Sequence, residues 1–472
     1  MNAIRKGIAP LFGVFLLAGC AVQRYRPAPI VASATASAFA SRNLADPGLQ
    51  SFEEQNLGHP LSSWPPNTWD LQTLSLAALY FSPALESARA RIAGTEASLV
   101  TAGARPNPSV SIAPGIPSPY LLTLDFSFPI ETAGKRGHRI QRAHSLDQAA
   151  RLDLADTAWT IHSGVRTALL NYLLASRTLE SFRSEEKVRE DQVNILEQIF
   201  SAGEIPRQSV DLARIELSKT HVAIITAEGQ VSETKAALSA VVGLPVAALQ
   251  SADFSWPNID APPSSESLSA EQVQRDAVLN RLDLRRSLAQ YAASEAGLQL
   301  EIAKQYPDIN IGPGYTYEEK HSFFTVGFAT TVPLFNRNQG PIAEAEARRK
   351  EAAAAFLERQ AQVTAKSERA LAVYTAALKE LAEAESLRKL QETQLQIMQQ
   401  TIRAGADNRL SLDNIEIQSW VLARARLDAL ARAQKALGDL EDAVQRPLAP
   451  GDMFPMNPES TTQNKLLKEL NR

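Results

Sequence analysis

Two stretches of this sequence follow one plan, and no other feature constrains the fold as strongly. Laid without a gap on Leu284–Gly314, the segment Leu85–Gly115 shares Leu85/Leu284, Glu96/Glu295, Leu99/Leu298, Pro108/Pro307, Pro114/Pro313 and Gly115/Gly314, an offset of 314 − 115 = 199. Further on, Ala202-Gly203 falls on Ala404-Gly405, Ser209 on Ser411, Asp211 on Asp413, Leu238 on Leu440 and Pro245 on Pro447, an offset of 405 − 203 = 202. Length alone suggests about three domains. The duplication overrides that and predicts one pseudo-symmetric body.

Each half contains a very long stretch without helix breakers. Between Pro341 and Gly405 there is neither Pro nor Gly, and Ala, Glu, Gln, Leu, Lys and Arg dominate. All are strong helix formers. At 1.5 Å per residue, Ile342–Ala404 predicts a helix of roughly 95 Å. In the first half no Pro lies between Pro129 and Pro206, and Gly164 is the only Gly from His138 to Ala202. Helices of this length need coiled-coil-like support from neighbours, which predicts a long body rather than a round one. Leu71–Ala104 reads as one further helix, with Leu74, Ala78, Leu85, Ala88, Ile92 and Leu99 spaced for one face.

Between the helices the period changes to two. Leu122, Leu124, Phe126 and Phe128 alternate with Thr123, Asp125 and Ser127, and Phe324, Val326 and Phe328 with Thr325, Gly327 and Ala329. That is the pattern of strands with one apolar and one polar face. Each half therefore carries one β-hairpin, at 108–130 and 306–333. Such strands suit a small soluble sheet packed on a helix, or a share of a transmembrane barrel. Four strands cannot close a barrel; three chains would supply twelve. After each hairpin the long helix runs to a tip, where Gly203 and Gly405 suit a positive-φ position at a helix C-terminus. Ser209 and Ser411 are candidate caps of return helices over Gln208–Val241 and Ser411–Val444, with Asp211 and Asp413 in the first turn.

The ends and the charge narrow the setting. Arg5 and Lys6, the apolar run Ile8–Leu17 and then Leu17-Ala18-Gly19-Cys20 form a secretory signal. That last tetrad resembles the bacterial lipobox, in which the cysteine becomes an acylated first residue. Ala21 follows it rather than the Asp that retains lipoproteins at the inner membrane. Cys20 is the only cysteine, so no disulfide framework exists. Net charge is −4 and gives no nucleic-acid signal. The expected organisation is a signal peptide (1–19), a lipid-anchored extended tether (20–65), a first repeat (66–249), a linker wrapping the outside (250–270), a second repeat (271–447) and a C-terminal tail (448–472).

The ordered set of motifs resembles the TolC family of outer membrane factors over essentially the whole mature chain. It comprises the lipobox, Ala-Gly-Ala-Arg-Pro-Asn-Pro at 102–108, Pro-Ile-Glu-Thr-Ala-Gly-Lys-Arg at 129–136, Val-Pro-Leu-Phe-Asn-Arg-Asn-Gln-Gly at 332–340 and the two Ala-Gly tips. The Gly-Lys-Arg and Phe-Asn-Arg-Asn segments lean toward the CzcC-like branch, linked to heavy-metal efflux. The resemblance implies a mainly α fold with a β-barrel portion. Duplicated long-helix hairpins form a trimeric α-barrel tunnel through the periplasm, and four strands per protomer enter a 12-stranded barrel in the outer membrane. It also implies a passive duct, not an enzyme, docked at its tips by a periplasmic adaptor and an inner-membrane RND-type pump. The exit duct of a type I protein secretion system shares the scaffold. A non-conducting coiled-coil envelope lipoprotein is the rival from another class.

On the family pattern the turn after Gly405 offers Asp407, Arg409, Leu410 and Asp413 to a constriction, where a ring of acids attracts cations. Ordinary capping acids at a turn are the plainer reading. The chain departs from the family at Asn414, where members often carry an acid. Lys135, Arg136, His138, Arg139, Arg142 and His144 form a basic cluster after a strand, facing lipid head groups or simply solvated. The histidines are scattered singly, so the sequence supports no metal site, no cofactor beyond the lipid on Cys20, and no catalytic constellation.

Overall fold

The computed structural model describes residues 25–115 and 121–448; the signal peptide, Cys20, residues 117 and 119 of the first hairpin turn, and the tail from 449 lie outside them. Residues up to Arg42 form a unit of their own, containing helix α1 (Ala32–Ala40), which buries no side chain.

The second unit begins with a correction. Residues 43–65 are not extended tether: α2 (Pro47–Leu57) forms there, and Leu44 and Leu49 are buried against Trp69. Its start is conventional, with Pro47 at the first position and Asp46 Oδ1 accepting from the Gly48 and Leu49 amides at 2.7 and 3.2 Å. Strand β1 (Thr68–Trp69) leads into α3 (Leu71–Phe81) and α4 (Pro83–Gly103). The single helix expected over 71–104 is thus broken at Ser82, which the following proline holds in the extended region. The second repeat breaks at the same place, between α7 (Ala270–Asn280) and α8 (Leu282–Ala303), although no proline stands there. Arg281 takes the extended conformation instead and forks onto Asp283 at 2.8 and 2.6 Å. The break therefore belongs to the repeat, not to its proline.

The sheet follows the sequence pattern. Strands β2 (Ser109–Pro114) and β3 (Leu121–Ile130) in the first repeat and β5 (Ile309–Glu318) and β6 (His321–Thr330) in the second form one antiparallel sheet, in the order β2-β3-β5-β6. The long helices are α5 (Lys135–Ser201, 67 residues) and α9 (Gln339–Arg403, 65 residues), each about 100 Å at 1.5 Å per residue. The second begins before Pro341, because proline is tolerated in a first helical turn. The return helices are α6 (Arg207–Val242) and α10 (Arg409–Val444).

The largest core cluster lies where the repeats meet, and a second sits within the first half. One cluster joins Leu170 and Leu174 of α5 to Tyr374 of α9 and to Leu430, Leu437 and Leu440 of α10; a second joins Trp69, Leu74, Leu169, Leu238 and Leu249. The linker is part of this body. β4 (Asp253–Phe254) pairs in parallel with β1, Ile259 is buried, and Asp260 lies 3.1 Å from both Arg177 and Arg426. Toward the tip the core thins, and among the described residues of α9 none beyond Leu381 is buried.

Candidate functional site

The sheet has two chemically distinct faces. The register places Ile112, Leu124, Tyr315 and Phe324 side by side, and Phe128 beside Ile311 and Phe328. The opposite face aligns Ser111 with Asp125 and Gly314 with Thr325. The apolar face is open: Phe324, Val326 and Phe328 are 84, 67 and 73% exposed. Within the chain β2 and β6 are edge strands, each with one unpaired ladder of backbone groups.

At the junction of sheet and helices, three members of the basic cluster act as staples. Lys135 is buried, and its Nζ lies 2.6 Å from Asp308 Oδ1. Arg139 pairs with Glu131 and donates to the Ala102 and Ala104 carbonyls, and Arg136 Nε donates to the Gly103 carbonyl at 2.7 Å. These side chains bind the end of α4 and the start of β5 to α5.

The two tips are built alike. Gly203 and Gly405 take φ of +80° and +73°. Beyond them the Glu204 amide donates to the Ile199 carbonyl and the Ala406 amide to the Thr401 carbonyl, closing each long helix with a left-handed cap. The expected serine caps are not formed. Ser209 and Ser411 lie inside their helices; Pro206 and Asn408 hold the cap positions, and the Asn408 side chain accepts from the Ser411 amide at 3.0 Å. Arg207 faces Asp211 at 3.7 Å, and Arg409 faces Asp413 at 2.9 Å, the same i,i+4 pair in both repeats.

The second pair differs in its surroundings. The Asp413 side chain has no exposed surface, and neither oxygen has a hydrogen bond, because the Arg409 guanidinium is close but not aligned to donate. Burial pushes its carboxyl up to about 6; Arg409 pulls it down, and Asp191 and Glu416 push it further up. Arg409 also reaches back to α5, with Nη2 3.1 Å from Asp191 Oδ2, and Gln192 Nε2 donates to Asn414 Oδ1 at 2.9 Å. A shallow open cleft beside this link is lined by Asp191, Asn194, Glu197, Gln198, Ser201 and Arg409.

Residues 74–244 match the outer membrane efflux protein family. The chain is 25% identical over 260 residues to the cobalt-zinc-cadmium resistance protein CzcC of Cupriavidus metallidurans, spanning 54% of this chain and 61% of that one. It is 24% identical over 335 residues to the pyoverdine export outer membrane protein OpmQ of Pseudomonas putida, spanning 65% and 67%. The fold superposes on the outer membrane protein VceC of Vibrio cholerae with a TM-score of 0.63 at 21% identity, covering 80% of this chain and 97% of that one. The family match covers residues 74–244, and the fold of the chain is the one these outer membrane proteins share. The expected duplicated long-helix hairpins with four strands per chain are the fold observed, the strands forming one open antiparallel sheet.

The gate residues expected from the sequence divide unevenly. Arg409 and Asp413 come together, joined by Asp191, which the sequence reading did not single out. Asp413 is buried inside the protomer beside Arg409 rather than standing on the exposed surface of the turn. Asp407 is exposed and serves the turn: the Asn408 amide and the Ser411 side chain hold its carboxyl below the usual range. Leu410 is half-buried. His221, read as solitary, lies 3.1 Å from Glu186 of the facing helix. Nothing short of the helix register finds that pair, since 35 residues separate them.

Proposed function

We propose that three copies of this chain form the outer membrane exit duct of a tripartite efflux system. The amphipathic four-stranded sheet carries the reading. Its apolar face needs lipid, and its two open edges need strands from neighbours. Three sheets give twelve strands with the polar faces inward. The helices support the same assembly: Leu387, Leu390 and Ile397 of α9 are at least half exposed on a part of the helix with no buried residue.

Cys20 carries the lipid that anchors the N-terminus in the outer membrane. The tips at Gly203 and Gly405 meet the adaptor, with an RND-type pump supplying the energy. One relative is named for cobalt-zinc-cadmium resistance and another for pyoverdine export; the CzcC-like motifs favour divalent metal cations as cargo here. The tip of the second repeat is latched shut by Arg409 through Asp191.

The test is single-channel conductance of the purified protein in planar bilayers. Wild type conducts at a low level, and Arg409→Ala, which frees the tip from α5, raises conductance severalfold. No conductance in either protein overturns the duct; equal conductance in both overturns the latch. Cysteines at position 124 should react only with lipid-soluble thiol reagents and those at 125 with water-soluble ones. A Cys20→Ser protein that still takes up labelled palmitate refutes the anchor.

A further inference from the structure

We propose that Glu186, Glu190 and His221 form a binding site for a divalent transition-metal cation, bridging the two helices of the first-repeat hairpin. Glu186 and Glu190 stand one turn apart on α5, and His221 faces them from α6. One donor atom from each lies within 4.8 Å of the other two, and His221 Nε2 is 3.1 Å from Glu186 Oε1. A tetrahedral zinc with bonds near 2.0–2.1 Å holds its ligand atoms about 3.3 Å apart. The imidazole–carboxylate pair already meets that spacing. Glu190 closes the remainder by rotation of a flexible side chain.

The surroundings separate this trio from an ordinary charged helix face. Several other acids of the hairpin are matched to strong cations: Glu185 to Arg189 and Arg424, Glu197 to Arg214, Glu228 to Arg183 and Glu216 to Lys219. Among the described residues no arginine or lysine is ion-paired with Glu186 or Glu190. Two carboxylates at i,i+4 repel one another, and the group set against them is an imidazole, which is a metal ligand in its neutral form.

The donor set selects the cation. One nitrogen and two carboxylate oxygens suit zinc, cobalt or nickel; calcium and magnesium prefer all-oxygen sites, and copper(I) prefers sulfur. Three protein ligands leave a fourth position for water, and the side chains are partly exposed, so the ion exchanges. Glu190 lies eleven residues before the end of α5, roughly 16 Å from the tip at 1.5 Å per residue. A cation held there pins α5 to α6 close to the tip. The site does not depend on what the channel exports.

The experiment uses full-length protein in detergent, stripped with chelator and titrated with zinc chloride by calorimetry and with cobalt(II) by visible absorption. Wild type should bind one zinc per chain, show a d–d band with cobalt that zinc abolishes, and keep its zinc in excess magnesium. His221→Ala and Glu190→Gln should each weaken binding at least tenfold. Glu233→Gln, an exposed acid elsewhere on α6, should leave it unchanged. Absence of stoichiometric binding in wild type, equal affinity in His221→Ala, or displacement by magnesium overturns the site.

Discussion

Asp413 and Glu53 are both carboxyl groups that the fold keeps from water without a hydrogen-bond partner. For each, burial is the first cause of a raised pKa: Asp413 to about 6, and Glu53 to about 8 with Asp70 adding to the effect. An acid whose folded pKa exceeds its unfolded value holds a proton in the native state that the unfolded chain has lost, so stability falls as pH rises between the two values. For Asp413 that window runs from about 4 to about 6. Asp413→Asn should therefore flatten the pH dependence of thermal stability in that window; an unchanged slope refutes the buried carboxyl. For Glu53 the window runs from about 4.5 to about 8, and holding the proton at pH 7 costs on the order of 3 kcal/mol. Glu53→Gln should raise the melting temperature at pH 7–8 by several degrees and leave it unchanged near pH 4.5. A variant no more stable than wild type at pH 8 would contradict this.

At the scale of elements, the tips depend on a backbone that only glycine adopts freely. Gly405 has open space around its Cα, so a side chain there meets no clash; the cost is its φ of +73°. A β-branched residue in the left-handed region costs roughly 1–2 kcal/mol, enough to re-aim a turn without unfolding a 65-residue helix. On the proposed function, Gly405→Val should leave the assembly intact on gel filtration and weaken binding of the periplasmic adaptor at least severalfold in a pull-down; unchanged binding places docking elsewhere. Helix lengths, strand faces and glycine tips were legible in the sequence because breakers and periodicity act locally. Besides the break at Ser82 and the serine caps, two further kinds of feature were missed. The helix at 47–57 hides in a Pro/Ala/Ser-rich stretch, and only Asp46-Pro47 signals its start. The Arg409–Asp191 link and the Glu186–His221 pair depend on which helix faces span 218 and 35 residues of sequence, and no local pattern encodes that.

At the scale of the whole chain, two near-copies become one body through residues that break the symmetry between them. Arg166, on α5 of the first repeat, is 4% exposed. Its Nε lies 3.1 Å from Glu441, its Nη1 donates to the Gln434 carbonyl at 3.0 Å, and its guanidinium lies 5.2 Å from the ring centre of Trp256 in the linker. At the offset of 202, Gln434, Gly438 and Glu441 correspond to Ser232, Ala236 and Ser239. The glycine leaves room for the Arg166 guanidinium, which a Cβ at 438 would force to shift. This buried knot is thus written into the second repeat alone, where it receives the arginine of the first. Truncating one partner of a buried ion pair leaves the other charge desolvated, at a cost of about 3–5 kcal/mol, whereas replacing both by apolar groups of similar volume is often neutral. Arg166→Ala should lower the unfolding midpoint strongly, and Arg166→Met with Glu441→Leu should recover most of the loss. Chemical denaturation of the three proteins measures this. A double variant as unstable as Arg166→Ala would mean that the charges themselves hold the repeats together. A mild Arg166→Ala would mean that the apolar cluster around Tyr374, Leu430 and Leu437 suffices.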